Sequence, residues 1–437
     1  MSSPARPSTR STRSTRSSRG TLTRGKPVAL AAAGLLALTA CGGSDGGSGS
    51  DDGPVTLRMT IWTGNEEHLK LLNGIAADYR EQHPEVQEIK FDTLPVESYT
   101  TALTTQIAGG KAPDLAWIFE NSAPDFVTSG ALAQIEDDPD VLPSAKKLWQ
   151  HEDKLYAYPF STSPFGVFVN TDMLKEAGRP APAELIEQGR WTWEEIAQTG
   201  AAVRDETGEA GMVIRDFDYK LWDNLATVWG GWGAAPWSED GRTCTFDAPE
   251  MTEAMTFLHD AVFVDEALPA PGTTADFFAG EAAMTVTQIS RASLLDDSFG
   301  WDFVPLPEGP AGSYDVIGQA GLGVLAEGDN VEEAVDFLAF MTNEKNSAAL
   351  GRYFPQARSS QLDAGTLAKS NPQLKPAQLE EVVIGGIENG VVKPTHTNQA
   401  ELYDAVRAAL DPLWQPDADV AKTLQDVCSA IQPQLEK

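Results

Sequence analysis

Residues 55–119 constrain the fold more than any other stretch, because two hydrophobic periods alternate there. Val55 to Trp62 alternates with period two, placing Val55, Leu57, Met59 and Ile61 on one face of a strand. Thr63-Gly64-Asn65 then opens a helix, with Glu66 and Glu67 in the first turn, where carboxylates suit the helix dipole. Leu69, Leu72, Ile75, Ala76 and Tyr79 carry that helix to about Gln82, and His83-Pro84 stops it. Ile89 to Leu94 reads as a second strand, Ser98 to Ile107 as a helix, and Asp114 to Phe119 as a buried third strand. This alternation predicts a parallel sheet with right-handed crossovers. Ligands of such sheets sit beyond the carboxyl ends of the strands. Those ends carry Trp62, Asn65 and Glu66, then Glu120, Asn121 and Ser122.

A chain of 437 residues exceeds what one core usually fills, so two lobes are expected. Leu155 to Asn170 is the stretch that would join them. It starts and ends as a strand pattern but holds Pro159 and Pro164 around Ser161-Thr162-Ser163. Proline donates no backbone hydrogen bond, so the pattern predicts a strand broken at both prolines. The stretch reads as a crossover between lobes, an ordinary loop within one sheet being the alternative.

The first forty residues read as a targeting segment. Seven basic residues and no acid precede an apolar run from Pro27 to Leu38, too short for a stable membrane span. No two arginines are adjacent, which favours the general secretory route over the twin-arginine one. The run ends Leu38-Thr39-Ala40-Cys41, which resembles a bacterial lipobox with Cys41 as the acylated mature N-terminus. A plain secretory signal with an incidental cysteine is the other reading. Residues 41–54, rich in Gly, Ser and Asp, form a flexible tether.

With the basic leader set aside, the body is more acidic than the formal net charge of −32. Such a surface repels nucleic acid and anionic headgroups. Only Cys244 and Cys428 remain after Cys41, and an exported chain can pair them or leave them free. The five histidines show no metal-ligand spacing, so neither metal nor cofactor is implied. Gly321 to Ala326 formally fits a dinucleotide loop, but the string is itself a strand rather than the turn after one.

In order along the chain stand Ile61-Trp62, Ala108-Gly109-Gly110-Lys111-Ala112-Pro113-Asp114-Leu115, Tyr158-Pro159 and Val169-Asn170. Further on come Trp191-Thr192-Trp193-Glu194-Glu195-Ile196, Phe278-Ala279-Gly280-Glu281-Ala282-Ala283-Met284, Val304-Pro305-Leu306-Pro307 and Ala334 to Phe340. This series resembles the family 1 extracellular solute-binding proteins of ABC importers, relatives of maltodextrin-binding protein. The resemblance implies an α/β fold of the two-lobed, periplasmic-binding-protein-like class (type II). Each lobe would be a mostly parallel sheet flanked by helices, with the ligand between lobes. Mapped here, lobe I would take residues 55–162 plus 304–342, and lobe II 163–303 plus 343–437.

The same resemblance implies a carbohydrate as guest, an ABC permease as partner, a lipid anchor at Cys41 on the outer face of the membrane, and a monomer. Its pocket loops match Gln288 and Arg291, Gly318-Gln319, Arg358, and His396 with Asn398, and Ser161 and Thr162 are further ligand-binding candidates. Arg291 and Arg358 read equally well as surface ion pairs. Independently, Trp229 and Trp232 stand among glycines in Trp229-Gly230-Gly231-Trp232-Gly233, where an aromatic face could meet a sugar's apolar C–H face. Core packing is the competing reading for any one of these indoles. Two other functions stay open: a receptor for a cationic solute such as a polyamine, and a secreted glycoside hydrolase using Glu66 and Glu120.

Overall fold

The computed structural model describes residues 54–215, 221–270, 272–273 and 275–436. The leader, Cys41 and nearly all of the tether lie outside the described residues. The alternating patterns of the amino-terminal part form as expected. Strand β1 (Val55–Ile61), helix α1 (Glu66–Gln82), β2 (Val86–Thr93), α2 (Tyr99–Ala108) and β3 (Leu115–Phe119) follow one another. Helix α1 buries Leu72, Ile75, Ala76 and Tyr79, the stripe its spacing predicted.

The remaining strands of the main sheet are β4 (Ala157–Asn170), β5 (Ala210–Ile214), β6 (Ala282–Gln288), β7 (Trp301–Val304), β8 (Val316–Val324) and β9 (Val391–Val392). The principal later helices are α3 (Trp193–Thr207), α4 (Pro249–Phe263), α5 (Val331–Met341), α6 (Gln399–Leu410) and α7 (Val420–Leu435). These nine strands join one sheet in the order β2-β1-β3-β8-β4-β6-β5, with β9 paired to β8 and β7 to β4, while the short strands Gln150–His151 and Lys154–Leu155 pair with each other apart from it. The expectation of mostly parallel sheets is corrected here. β1 pairs in parallel with β2 and β3, β5 with β6, and β9 with β8. Both long strands, β4 and β8, run against their other neighbours. Strand β8 runs opposite to both β3 and β4, so the middle of the sheet is antiparallel.

Strand β4 also corrects the reading of the prolines. All 14 of its residues are buried, and it runs unbroken through both. Its first part pairs with β8, from Ala157 opposite Gly323 to Pro164 opposite Ile317. Its last part pairs with β6, from Phe165 opposite Gln288 to Val169 opposite Met284. Pro159 sits where the register with β8 slips, between Tyr158–Leu322 and Ser161–Ala320, a bulge that needs no donor. Pro164 sits where the strand changes partner, so its missing N–H interrupts neither ladder. Opposite the bulge, Gly321 leaves room for Trp149, whose ring would lie 2.5 Å from a Cβ added there.

Two apolar clusters form around this sheet. One joins Leu57 and Met59 of β1, Tyr79 of α1, Trp117 of β3, Leu322 of β8 and Phe337 of α5. The other joins Val167 of β4, Ile196 of α3, Met255 of α4, Met284 of β6, Val406 of α6 and Val427 of α7. Residues 343–361, assigned by sequence to the second lobe, pack instead on the first. Phe354 lies 5.1 Å from Trp117 and 5.3 Å from Phe160, and Tyr353 lies 4.1 Å from His68.

Cys244 and Cys428 are joined by a disulfide across 184 residues of sequence, tying the segment before α4 to helix α7. Closing so long a loop restricts the unfolded chain strongly, on a scale of about 2–5 kcal/mol. Reduction, or Cys428→Ser, should therefore lower the unfolding free energy by that much in equilibrium urea unfolding, seen as an earlier midpoint. Identical midpoints with and without reductant would contradict it.

Candidate functional site

At the carboxyl end of β3 the chain turns tightly through Glu120–Ser122. That turn places Glu120 in the interior with 8% of its surface exposed. One carboxylate oxygen accepts a hydrogen bond from the backbone N–H of Gln319 in β8. The other lies 3.0 Å from the ammonium of Lys393. Lys393 directly follows β9, whose pairing with Val316 and Ile317 sets its position. The same ammonium lies 2.9 Å from Asp223 Oδ2 and 2.9 Å from Asn224 Oδ1. Asp223 and Asn224 belong to the turn Trp222–Leu225, buried beside the second cluster.

The acceptors are themselves held. Tyr403 of α6 donates its hydroxyl to Asp223 Oδ1 at 3.0 Å, and Asn224 Nδ2 donates to the Arg215 carbonyl at 3.3 Å. Burial works against the charge on Lys393, but Asp223 and Glu120 outweigh it and push its pKa up, so the lysine stays charged. Burial likewise pushes the Glu120 carboxyl up, with the Lys393 charge opposing. Gln319 adds a buried amide whose Nε2 donates to Thr162 Oγ1 at 3.4 Å and to the Ala145 carbonyl at 3.3 Å. Its Oε1 finds no hydrogen-bond partner among the described residues. Above this centre, Asn398 donates its backbone N–H to Asp125 Oδ1 at 3.1 Å. Polar groups from β8, from the residue after β9 and from the turn Trp222–Leu225 thus converge with Glu120 at the carboxyl end of β3.

Residues 64–348 match the family described as bacterial extracellular solute-binding protein. This chain belongs to that family. Among relatives of this solute-binding protein is the uncharacterized lipoprotein in the oleD 5′ region of Streptomyces antibioticus. It is 27% identical over 353 residues, 75% of this chain and 74% of the relative. The lactose-binding protein of Rhizobium radiobacter is 24% identical over 340 residues, 72% of this chain and 75% of the relative. In fold, the ABC substrate-binding protein Lmo0181 of Listeria monocytogenes, solved with cycloalternan, superposes with a TM-score of 0.75 at 22% identity. That match covers 87% of this chain and 98% of the other. The two-lobed α/β architecture is therefore the one expected for the family.

Within this solute-binding protein the residues singled out by sequence divide into groups. Glu120, Thr162 and Gln319 meet at the polar centre, and Ser161 is buried beside them in β4. Gln288 accepts from the Arg215 guanidinium at 2.6 Å at the neighbouring end of β6. Trp62 is partly open, stacked on Phe119 at 4.2 Å. Asn121 accepts from Ser122 at 3.2 Å, and Arg291 sits half-buried in the turn after β6.

Other residues have structural employment. Asn65 spends its side chain capping α1, accepting from the Glu67 and His68 amides at 2.9 and 3.2 Å, while Glu66 is exposed in the first turn. His396 lies between the Thr397 and Gly241 carbonyls, edge-on to Trp237. Arg358 is not a surface pair. It is 7% exposed and bonds Asp138, Asp140, the Tyr158 hydroxyl and the Thr342 carbonyl. Trp229 lies inside the second cluster at 2% exposure, near Trp222 and Phe246, and Trp232 packs on Phe257. Both indoles follow the packing alternative.

Sequence reasoning missed Lys393, Asp223, Asn224 and Tyr403. One signal was present: Lys393 stands between Val391-Val392 and Pro394, and a lysine drawn into apolar company needs an anion. Among the described residues no group of three or more His, Cys, Asp or Glu could hold a metal ion, and no helix is long and apolar enough to cross a membrane.

Trp229→Ala should cost about 3–5 kcal/mol of folding stability, the usual scale for a truncated core aromatic. Urea unfolding checks this; a loss below 1 kcal/mol would return the indole to the ligand side. A second expectation concerns acid. Burial raises the Asp140 carboxyl, but hydrogen bonds from Ser360 and the Arg358 guanidinium outweigh it and hold the group below the ordinary carboxylate value. A lowered carboxyl contributes stability above its unfolded pKa, which is lost as pH falls through the folded value. The stability gap between wild type and Asp140→Asn should therefore shrink below pH ~4. A gap independent of pH would remove Asp140 from the acid response.

Proposed function

We propose that this chain is the extracellular receptor of an ABC importer, capturing a carbohydrate between two lobes and handing it intact to a membrane permease. The observation that carries this reading is the buried polar centre at the carboxyl end of β3, with carboxylates, amides and an ammonium converging from both apolar clusters. Sugar hydroxyls both donate and accept, so they are served by such a mixed set, and closure around them strengthens each bond by excluding water. Trp62, partly open on its Phe119 base, supplies an aromatic face beside it. Lactose, named for the Rhizobium relative, and cycloalternan, bound by the Listeria structure, are both saccharides and support the ligand class.

In this reading residues 55–162 and 304–361 form the first lobe, and most of the remainder the second. Ser161, Thr162, Gln288, Gln319, Glu120, Asn121 and Arg291 lie nearest the guest. Export and acylation at Cys41 tether a monomeric receptor to the outer face of the membrane. No cofactor enters, and a carboxylate paired with Lys393 serves recognition rather than bond cleavage.

The test is a thermal-shift and calorimetric screen with lactose, maltose, maltotetraose and cyclic glucans. A saturable rise is expected, since a ligand at one hundred times its Kd stabilises by ~2.7 kcal/mol. Glu120→Gln should weaken the best ligand by about 1–3 kcal/mol, a charged hydrogen bond's worth. No saccharide response, or turnover of the bound sugar, would end this reading.

A further inference from the structure

Lys393 does more than bridge two acids. An ammonium has three N–H donors, and three acceptors surround this one at 3.0, 2.9 and 2.9 Å: Glu120, Asp223 and Asn224. The fourth side is the Phe165 ring, with the nitrogen 5.9 Å from its centroid, within cation–π range. Two carboxylates, an amide oxygen and an aromatic face form a complete receptor for a primary amine. This receptor is filled by a side chain of the same molecule.

We propose that Lys393 is the specificity-determining residue of the cleft: it occupies a built amine site, so the wild-type protein turns away ammonium-bearing solutes and accepts uncharged ones. The inference rests on the carbohydrate reading for what the cleft accepts, but not for the amine site itself. Three features make the cage independent of its occupant. Glu120 is fixed by the Gln319 backbone, Asp223 by the Tyr403 hydroxyl, and Asn224 by its bond to the Arg215 carbonyl. Lys393 arrives from outside the cage, on the end of β9. A second ammonium would find all three acceptors already taken and could reach them only by displacing a lysine tethered to the chain. A neutral polyol meets no such cost and still finds hydrogen-bonding edges.

Lys393→Ala removes the equivalent of propylamine, so n-propylammonium chloride is the matching probe. Folded Lys393→Ala should show a saturable rise in melting temperature with propylammonium and, more weakly, putrescine. Equal ionic strength of sodium chloride, or propanol, should give none, and wild type should ignore both amines. If the variant does not fold alone, it is refolded from urea with propylammonium or with sodium chloride. Recovery only with the amine supports the cage; recovery in neither, or equally in both, overturns it. A folded variant without a saturable response overturns it too, as does a wild type stabilised by either amine. The two readings fail separately. A wild type blind to every saccharide, with an amine-binding variant, refutes the carbohydrate reading alone; a sugar-binding wild type with an amine-blind variant refutes the cage alone.

Discussion

The structure depends on one strand being shared. Strand β4 is buried along all 14 residues and hydrogen-bonds first to β8 and then to β6, so a single covalent element belongs to both halves of the sheet. Part of the polar centre stands on it or directly opposite it. Thr162 and Phe165 are β4 residues, Gln319 stands opposite Thr162 on β8, and Gln288 stands opposite Phe165 on β6. A bulge at Pro159 and a partner change at Pro164 relieve the strand at the two places where a donor is missing. The prolines therefore mark a bulge and a change of partner, neither of which ends the strand.

This also explains what could be read in the sequence. Local periodicity reports local burial, so β1, α1, α2 and β3 stand close to where their apolar spacing put them. Pairing partners are not local. Pro159 and Pro164 signal a lost hydrogen bond, but only the neighbouring strands decide whether that bond was needed. The run 343–361 has no sequence property that assigns it to one core, and the rings of Trp117 and Phe160 claim it. The bridge between Cys244 and Cys428 likewise spans 184 residues that no spacing rule reaches across.

The candidate site divides along the same line. Glu120 was legible because it follows a predicted strand, and strand ends are where such sheets bind ligands. Trp229 and Trp232 were not, since an indole beside glycines looks alike whether its face meets a guest or the Phe246 and Phe257 rings. Lys393 was hidden by distance: its bond to Asn224 joins residues 169 apart in sequence. A charged residue in apolar surroundings announces that a partner exists without naming it.

What the three-way contact contributes is direction rather than strength. Burying two carboxylates and an ammonium costs several kcal/mol of hydration per ion, which mutual attraction repays only when geometry is good and spare lone pairs are filled. Both conditions hold, since every acceptor around Lys393 has a further donor or anchor behind it. The net gain in stability is therefore small, but the orientation of each carboxylate is sharply defined. A sugar distinguishes itself from its epimers by where its hydroxyls point, and only acceptors that cannot swing are able to register that difference. In the proposed carbohydrate reading, the anions at Glu120 and Asp223, held by a cation of the chain's own, are that reference frame, set in advance of any guest.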